Sequence, residues 1–160
     1  RRYRSKKRRR SSRPSGESRV TATSWWILLD LKTRRPTLIP MDEGVLKANQ
    51  GNFSMTMPSE GFPAVVSDQA ELVRVKYSDL DQNRPVNNAR DVEWIFNHLD
   101  QHVLEEKSPS FFDIEYKHEV KSGDVVALKK AEIEKQPLTY AVEGSLSGTG
   151  KVCVKAKIIF

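Results

Sequence analysis

The stretch NNARDVEWIFNHLDQHVL, residues 87–104, spaces apolar side chains three and four positions apart, as one face of an α-helix requires. These apolar positions are Val92, Ile95, Phe96, Leu99 and Val103. Asn87 or Asn88 suits the N-cap, because an Asn side chain accepts hydrogen bonds from backbone N–H groups of the first turn. Asp91 places negative charge in that turn, where the helix dipole favours it. The stretch therefore predicts one long amphipathic helix.

Strands are predicted on both sides of this helix. Residues 70–77 alternate apolar and polar side chains before it, and four candidate strands follow, at residues 111–120, 124–134, 137–144 and 150–160. One strand, one long helix and a four-strand antiparallel meander give an α+β layout with the helix laid on the sheet. A helix of about 18 residues spans roughly 27 Å, which suits such a sheet. The prediction is a hotdog fold, in which a curled antiparallel sheet wraps around one helix.

The charge of the chain is unevenly divided. Its net charge is +6, but nine Lys and Arg and no acid lie in the first 13 residues, which leaves 18 basic against 21 acidic side chains elsewhere. Residues 1–17 have too little apolar surface to offset their ordering entropy and are predicted to be a basic disordered tail. Such a tail could bind nucleic acid or an anionic membrane. The acidic body shows no stacking-platform pattern, so we do not favour nucleic acid as a partner.

Composition also bounds the domain organisation. Residues 18–69 contain one strand rich in β-branched and aromatic residues and a connecting segment rich in Pro and Gly, and residues 70–160 form the folded domain. Cys153 is the single cysteine, so no internal disulfide can form. No apolar run approaches the roughly 20 residues that a spanning helix needs, so we predict no transmembrane segment.

The loop ahead of the helix is rich in acids and carboxamides. They are Asp79, Asp81, Asn83, Asn87 and Asn88. Asp and Asn stabilise turns by hydrogen-bonding to nearby backbone groups, and this use alone accounts for them. The same side chains, placed at a junction between a strand and a helix, could instead form a catalytic loop. The residue pattern leaves both interpretations open.

Four stretches resemble one family. YSDLDQN (77–83) followed by VNNARDVEWI (86–95) resembles the signature of the acyl-acyl carrier protein thioesterases, at the start of their second hotdog domain. The similarity continues in FDIEYKHEVKSGD (112–124) and GKVCVKAKIIF (150–160). ATSWWILLDLKTRRPTLIP (22–40) is similar to the segment that closes the first hotdog of that family. The resemblance implies a double hotdog that is incomplete at its N-terminus.

The resemblance also implies a reaction, the hydrolysis of fatty acyl-acyl carrier protein thioesters to free fatty acid in fatty acid biosynthesis. It places the family's catalytic Asp, Asn and Glu at Asp81, Asn83 and Glu119. Glu119 would polarise the attacking water, Asn83 would orient water or carbonyl, and Asp81 would act as nucleophile or fix the loop. The implied partner is acyl carrier protein bearing a fatty acyl thioester, and we assign no metal or cofactor.

Two features depart from the family pattern. Pro85 stands where the family has a His, and a proline side chain can neither donate nor accept a hydrogen bond, so we expect impaired turnover. The alternative is a non-catalytic hotdog module that binds acyl thioesters or the carrier protein. Most of the first hotdog is absent, so we expect self-association through an exposed sheet edge. The expected location is a bacterial cytoplasm, with a plastid as the alternative.

The setting of Glu119 is also open. Alternation along residues 111–120 predicts that His118 and Glu119 point to opposite faces of a strand, so His118 is a poor substitute for the missing His. The same alternation groups Glu119 with other polar side chains, which would make it an ordinary surface carboxylate.

Overall fold

The computed structural model describes residues 61–160 without a gap and, before them, residues 3–5, 22, 24–26, 30, 33, 35 and 37. The chain forms two compact units, Arg1–Glu60 and Gly61–Phe160. The predicted division into residues 1–17, 18–69 and 70–160 stays a prediction.

The first unit contains a short pair of strands. β1 (Tyr3–Ser5) pairs antiparallel with β2 (Ser24–Trp26). β2 lies within the strand predicted upstream of the connecting segment. β1 lies within the basic tail, so these three tail residues are extended and paired. Most of the predicted connecting segment falls outside the described residues.

The second unit has the predicted α+β composition. Its elements are β3 (Glu71–Arg74), a 3-10 turn (Tyr77–Asp79), α1 (Asn88–Asn97), α2 (Gln101–Glu106), β4 (Phe111–Tyr116), β5 (Val125–Lys135), β6 (Leu138–Leu146) and β7 (Val152–Ile159). Each predicted strand is present, although β3 and β4 end earlier than the alternation suggests. In the described part of the chain, no helix has the length and apolar character that crossing a membrane requires.

The five strands of this unit form one antiparallel sheet in the order β3-β5-β6-β7-β4. The predicted antiparallel meander of four strands is wrong for its first strand, β4, which does not pair with β5. β5, β6 and β7 follow one another as hairpins, but β4 pairs with β7, where Ile114 lies opposite Ala156. The place beside β5 belongs to β3, where Val73 lies opposite Val126. The two helices therefore carry the chain from one edge of the sheet to the other.

The core lies between the helices and one face of the sheet. The helices contribute Trp94, Ile95 and Val103, the turn between them contributes Leu99, and the sheet contributes Val126, Leu128, Val142, Val154, Ala156 and Ile158. Val92 and Phe96 of the predicted apolar stripe are only half-buried. Complete burial of one large aliphatic side chain stabilises a fold by about 1.5–3 kcal/mol, so this stripe holds the helices on the sheet.

The prediction of a single helix over residues 87–104 is wrong, because the helix is broken just before α2. Asp100 has an extended backbone (φ −69°, ψ 124°) and stands at the N-cap of α2. Its carboxylate accepts hydrogen bonds from the sheet, from Nζ of Lys130 at 2.7 Å and from the hydroxyl of Tyr140 at 3.2 Å. The hydrogen bond from Lys130 lowers the pKa of Asp100 below its ordinary value. Apolar periodicity continues across the break and therefore does not reveal it.

Gly144 lies on β6, where neighbouring side chains leave no room for a Cβ atom. A Cβ at this position would lie 2.7 Å from Cγ1 of Val154 and 3.1 Å from Cδ2 of Leu128. We predict that Gly144→Ala lowers the free energy of unfolding by about 1–3 kcal/mol, because overpacking forces these neighbours to shift. Gly148→Ala is the matched control, since a Cβ there meets nothing within 4 Å. Chemical denaturation measures both variants, and equal midpoints would contradict the predicted clash.

Candidate functional site

The loop that contains Asp81 and Asn83 is a small hairpin. The backbone N–H of Asp81 donates to the carbonyl of Pro85 at 2.8 Å, and the N–H of Arg84 donates to the carbonyl of Asp81 at 3.0 Å. Arg84 closes the turn with a left-handed backbone, φ 80°. Such a conformation costs about 1–2 kcal/mol for a residue other than glycine, so the surrounding contacts must hold it. The backbone, including the carbonyl of Pro85, defines this hairpin.

Asp81 also stabilises the tip of the hairpin with its side chain. Its Oδ1 accepts a hydrogen bond from the backbone N–H of Asn83 at 2.7 Å. Asp81 is half-buried, whereas Asn83 is exposed. This is the turn-stabilising use of Asp that the composition suggested, and it presents the carboxamide of Asn83 at the surface.

Asp79 joins the start of the loop to the start of α1. Its side chain is buried, and its Oδ2 accepts a hydrogen bond from the backbone N–H of Lys76 at 2.7 Å. Its carbonyl accepts the N–H of Asn87 at 2.8 Å, and Nε of Arg90 lies 3.8 Å from its Oδ1. Asn87 in turn caps α1 by accepting the N–H of Ala89 at 3.0 Å, which confirms one of the two predicted N-cap positions.

Glu119 lies in the segment that follows β4, and this segment runs beside the hairpin. The backbone N–H of Val86 donates to the carbonyl of Val120 at 2.8 Å, and Pro85 pairs with Lys121. Glu119 is exposed and comes directly before Val120 in the chain. The structure therefore places the hairpin and the Glu119 segment side by side.

The predicted strand over residues 111–120 is wrong beyond Tyr116. The N–H groups of the next two residues both donate to the carbonyl of Cys153, at 2.7 and 3.3 Å, and the chain leaves the ladder there. Strand alternation therefore does not determine the directions of His118 and Glu119. Both residues are exposed.

Position 85 has no imidazole substitute in the described part of the chain, where no histidine side chain hydrogen-bonds to the hairpin. Pro85 is half-buried, and its ring offers no polar atom. Nδ1 of His98 lies 2.8 Å from Oε2 of Glu71 on β3. His102 is exposed on α2. That Pro85 removes a proton-transferring side chain stays a prediction.

Asp91 lies in the first turn of α1, as predicted, but its burial is not what the helix dipole suggests. It lies on the buried side of the helix and is only 5% exposed. Burial raises the pKa of its carboxyl to about 7. The sequence does contain a sign of this burial, because Asp91 precedes the buried Trp94 and Ile95 by three and four residues and so shares their face of the helix.

Two titratable side chains of the sheet interact electrostatically with Asp91. They are Tyr116 at the end of β4 and Cys153 on β7. Burial, and then the negative charge of Asp91, raise the pKa of the Tyr116 hydroxyl to about 12 and that of the Cys153 thiol to about 11. Both side chains are therefore uncharged at neutral pH, and the Cys153 thiol donates to the carbonyl of Gly144 at 3.2 Å.

The loop before α1 contains Asp81 and Asn83, and the segment beside it contains Glu119. Carboxylates and carboxamides can orient or deprotonate water and can stabilise the negative charge that develops on a carbonyl oxygen. A helix N-terminus carries partial positive charge of its own. Within the described ranges, no three His, Cys, Asp or Glu side chains cluster in a way that could hold a metal ion.

Comparison with known sequences points to one family. The family model described as the acyl-ACP thioesterase C-terminal domain matches residues 64–160, which include the hairpin, both helices and the five-stranded sheet. The chloroplastic palmitoyl-acyl carrier protein thioesterase of Gossypium hirsutum is 29% identical over 116 residues, which are 68% of this chain and 28% of that protein. The chain thus spans less than a third of this relative.

Comparison with solved structures points to the same family. An acyl-ACP thioesterase from Bacteroides thetaiotaomicron is 25% identical with a TM-score of 0.73, and the match covers 91% of this chain and 58% of that one. The 12:0-ACP thioesterase from Umbellularia californica, at 21% identity and a TM-score of 0.67, shares the fold over 91% of this chain and 56% of its own. The predicted hotdog fold is confirmed.

The buried carboxyl of Asp91 makes stability depend on pH. Its pKa in the folded protein is about 7, above the ordinary value of 3.8, so the folded state binds the proton more tightly than the unfolded state. The free energy of unfolding therefore falls as pH rises from about 4 to about 7, by at most about 4 kcal/mol. We predict that Asp91→Asn, which stays neutral, flattens this fall and melts at a higher temperature than the original chain at about pH 8.

Thermal melts at about pH 5 and about pH 8 test this dependence. Glu106→Gln is the control, because Glu106 is exposed at the end of α2 and should change neither melt. An Asp91→Asn protein with the same pH dependence as the original chain would show that Asp91 does not cause it.

Proposed function

This chain belongs to the acyl-acyl carrier protein thioesterase family, and we propose that it hydrolyses fatty acyl-acyl carrier protein thioesters to free fatty acid in fatty acid biosynthesis. The proposal is supported above all by the hairpin at the start of α1, which holds Asp81 and Asn83 beside the Glu119 segment. A bacterial cytoplasm, or alternatively a plastid, stays the predicted location.

We assign the roles of the three site residues as follows. Glu119, exposed beside the hairpin, polarises the attacking water. Asn83, exposed at the hairpin tip, orients that water or the thioester carbonyl. Asp81 fixes the loop, since its Oδ1 accepts the N–H of Asn83. The N-terminus of α1 favours the negative charge on the carbonyl oxygen, and the thiolate of the carrier's arm then leaves and takes up a proton.

A second function is favoured by Pro85. The hairpin is complete without any polar side chain at that position, because the Pro85 carbonyl alone accepts the N–H of Asp81. Pro85 offers no side chain for proton transfer, but the hairpin that would bind the substrate is intact. The alternative is therefore a non-catalytic module that binds an acyl thioester or its carrier protein.

An assay of the hydrolysis of long-chain acyl-acyl carrier protein thioesters separates the two functions. Release of the free thiol reports the rate. We predict that Asp81→Ala abolishes turnover because the hairpin tip loses its internal hydrogen bond. Pro85→His should raise kcat, at most by the roughly 10²-fold or more that one positioned general acid or base contributes.

Gln82→Ala is the matched control, since Gln82 is exposed in the same turn and has no assigned role. It should hydrolyse at the rate of the original chain. If no chain turns over and the acyl carrier protein still binds, hydrolysis is refuted and the binding module is supported.

We also propose that the chain associates with a second copy through an edge of the sheet. β3 and β4 stand at the two ends of the strand order. β3 displays Leu72, which is 63% exposed, and an apolar exposed edge strand invites pairing with a further strand.

Light scattering at several concentrations tests this association. We predict a dimer that Leu72→Lys converts to a monomer, because a charged edge disfavours pairing. Val66→Lys is the control, since Val66 is equally apolar and 88% exposed but lies outside the sheet. A monodisperse monomer of the original chain would refute the proposal.

A further inference from the structure

One side-chain hydrogen bond joins the two segments of the candidate site. The hydroxyl of Tyr116 donates to the carbonyl of Asn88 at 3.0 Å. Tyr116 is the last residue of β4, three residues before Glu119, and Asn88 is the first residue of α1, directly after the loop that contains the hairpin. The bond therefore connects the strand that leads to Glu119 with the helix that Asp81 and Asn83 precede.

We propose that Tyr116 is a positioning residue of the thioesterase site, whose hydroxyl holds the Glu119 segment against the first turn of α1. The inference rests on the function proposed above. Tyr116 is assigned no contact with the substrate and acts through Glu119.

The proposal follows from how Glu119 is held. On its C-terminal side, the carbonyl of Val120 accepts the N–H of Val86 at 2.8 Å, which ties the segment to the loop. On its N-terminal side the strand has ended, and the next residues are tied by their backbone to Cys153 on β7 rather than to the loop. Tyr116 supplies the contact to α1 on this side. Two anchors, one on either side, then set the distance between Glu119 and the hairpin.

The Tyr116 side chain is only partly buried. It is 40% exposed, so its hydroxyl contact is a larger part of what holds it than it would be for a fully buried tyrosine. Tyr116→Phe removes the hydroxyl and keeps the ring, so the variant loses the hydrogen bond to Asn88 and retains the packing of the ring.

The Tyr116 hydroxyl keeps its proton at neutral pH, because burial raises its pKa to about 12. It therefore stays a hydrogen-bond donor to the carbonyl of Asn88.

Kinetics of Tyr116→Phe on acyl-acyl carrier protein thioesters tests the anchor. We expect kcat to fall by about tenfold to 10²-fold with KM unchanged, since misplacing a catalytic group by about 1 Å costs this much. A loss of substrate binding would instead raise KM.

Tyr77→Phe is the matched control, because Tyr77 precedes the same loop and is 90% exposed. It should keep the kcat and KM of the original chain. Unchanged kcat in Tyr116→Phe would overturn the proposal.

Amide hydrogen exchange of residues 117–121 provides a measurement that needs no turnover. Exchange should be faster in Tyr116→Phe than in the original chain and unchanged in Tyr77→Phe, because only the first variant loses the hydrogen bond to Asn88. If the original chain does not hydrolyse thioesters but exchange behaves as expected, the proposed function fails and the anchor stands. Equal exchange in all three chains would refute the anchor whatever the activity.

Discussion

Burial of the apolar side of α1 against the sheet is the interaction on which the rest of the structure depends. Ile95 is fully buried, as is Ile158 opposite it in the core, and the free energy of this burial holds the helix in one orientation. A fixed helix has a fixed N-terminus. The hairpin before α1 must then close against the one neighbouring segment whose backbone can pair with it, through Pro85 and Lys121. The candidate site is therefore placed by the core, and its own polar contacts refine that placement.

A polar contact between the helical segment and the sheet sets the path of the chain. Asp100 binds Lys130 and Tyr140 on the sheet at the place where α1 has ended and α2 starts. The paired helices cross the sheet and deliver β4 to the edge beside β7 instead of beside β5. Because β4 runs antiparallel to β7, its far end returns towards the N-terminus of α1, where Tyr116 meets Asn88.

Periodicity and cap chemistry predicted the α+β class, the strands and the Asn87 N-cap, because these depend on neighbouring residues. The break at Asp100 and the early end of β4 at Tyr116 could not be predicted in this way. Both depend on partners far along the chain, Lys130 in one case and the carbonyl of Cys153 in the other. The family resemblance implied Asp81, Asn83 and Glu119 as site residues but not the backbone hydrogen bonds that join their segments. Asp91 lies in the first turn of α1, as predicted, but the helix dipole gave no indication that its carboxyl is buried.

Pro85 and Asp91 are the two unusual residues of this region. The hydrogen bonds made at position 85 come from the backbone, so proline there leaves the hairpin intact. The hairpin contains no imidazole, the side chain whose unperturbed pKa of about 6.5 lies close to neutrality. Burial gives Asp91 a pKa of about 7, but this carboxyl lies in the seam between helix and sheet. Its protonation therefore bears on the stability of the fold more directly than on chemistry at the exposed tip of the hairpin.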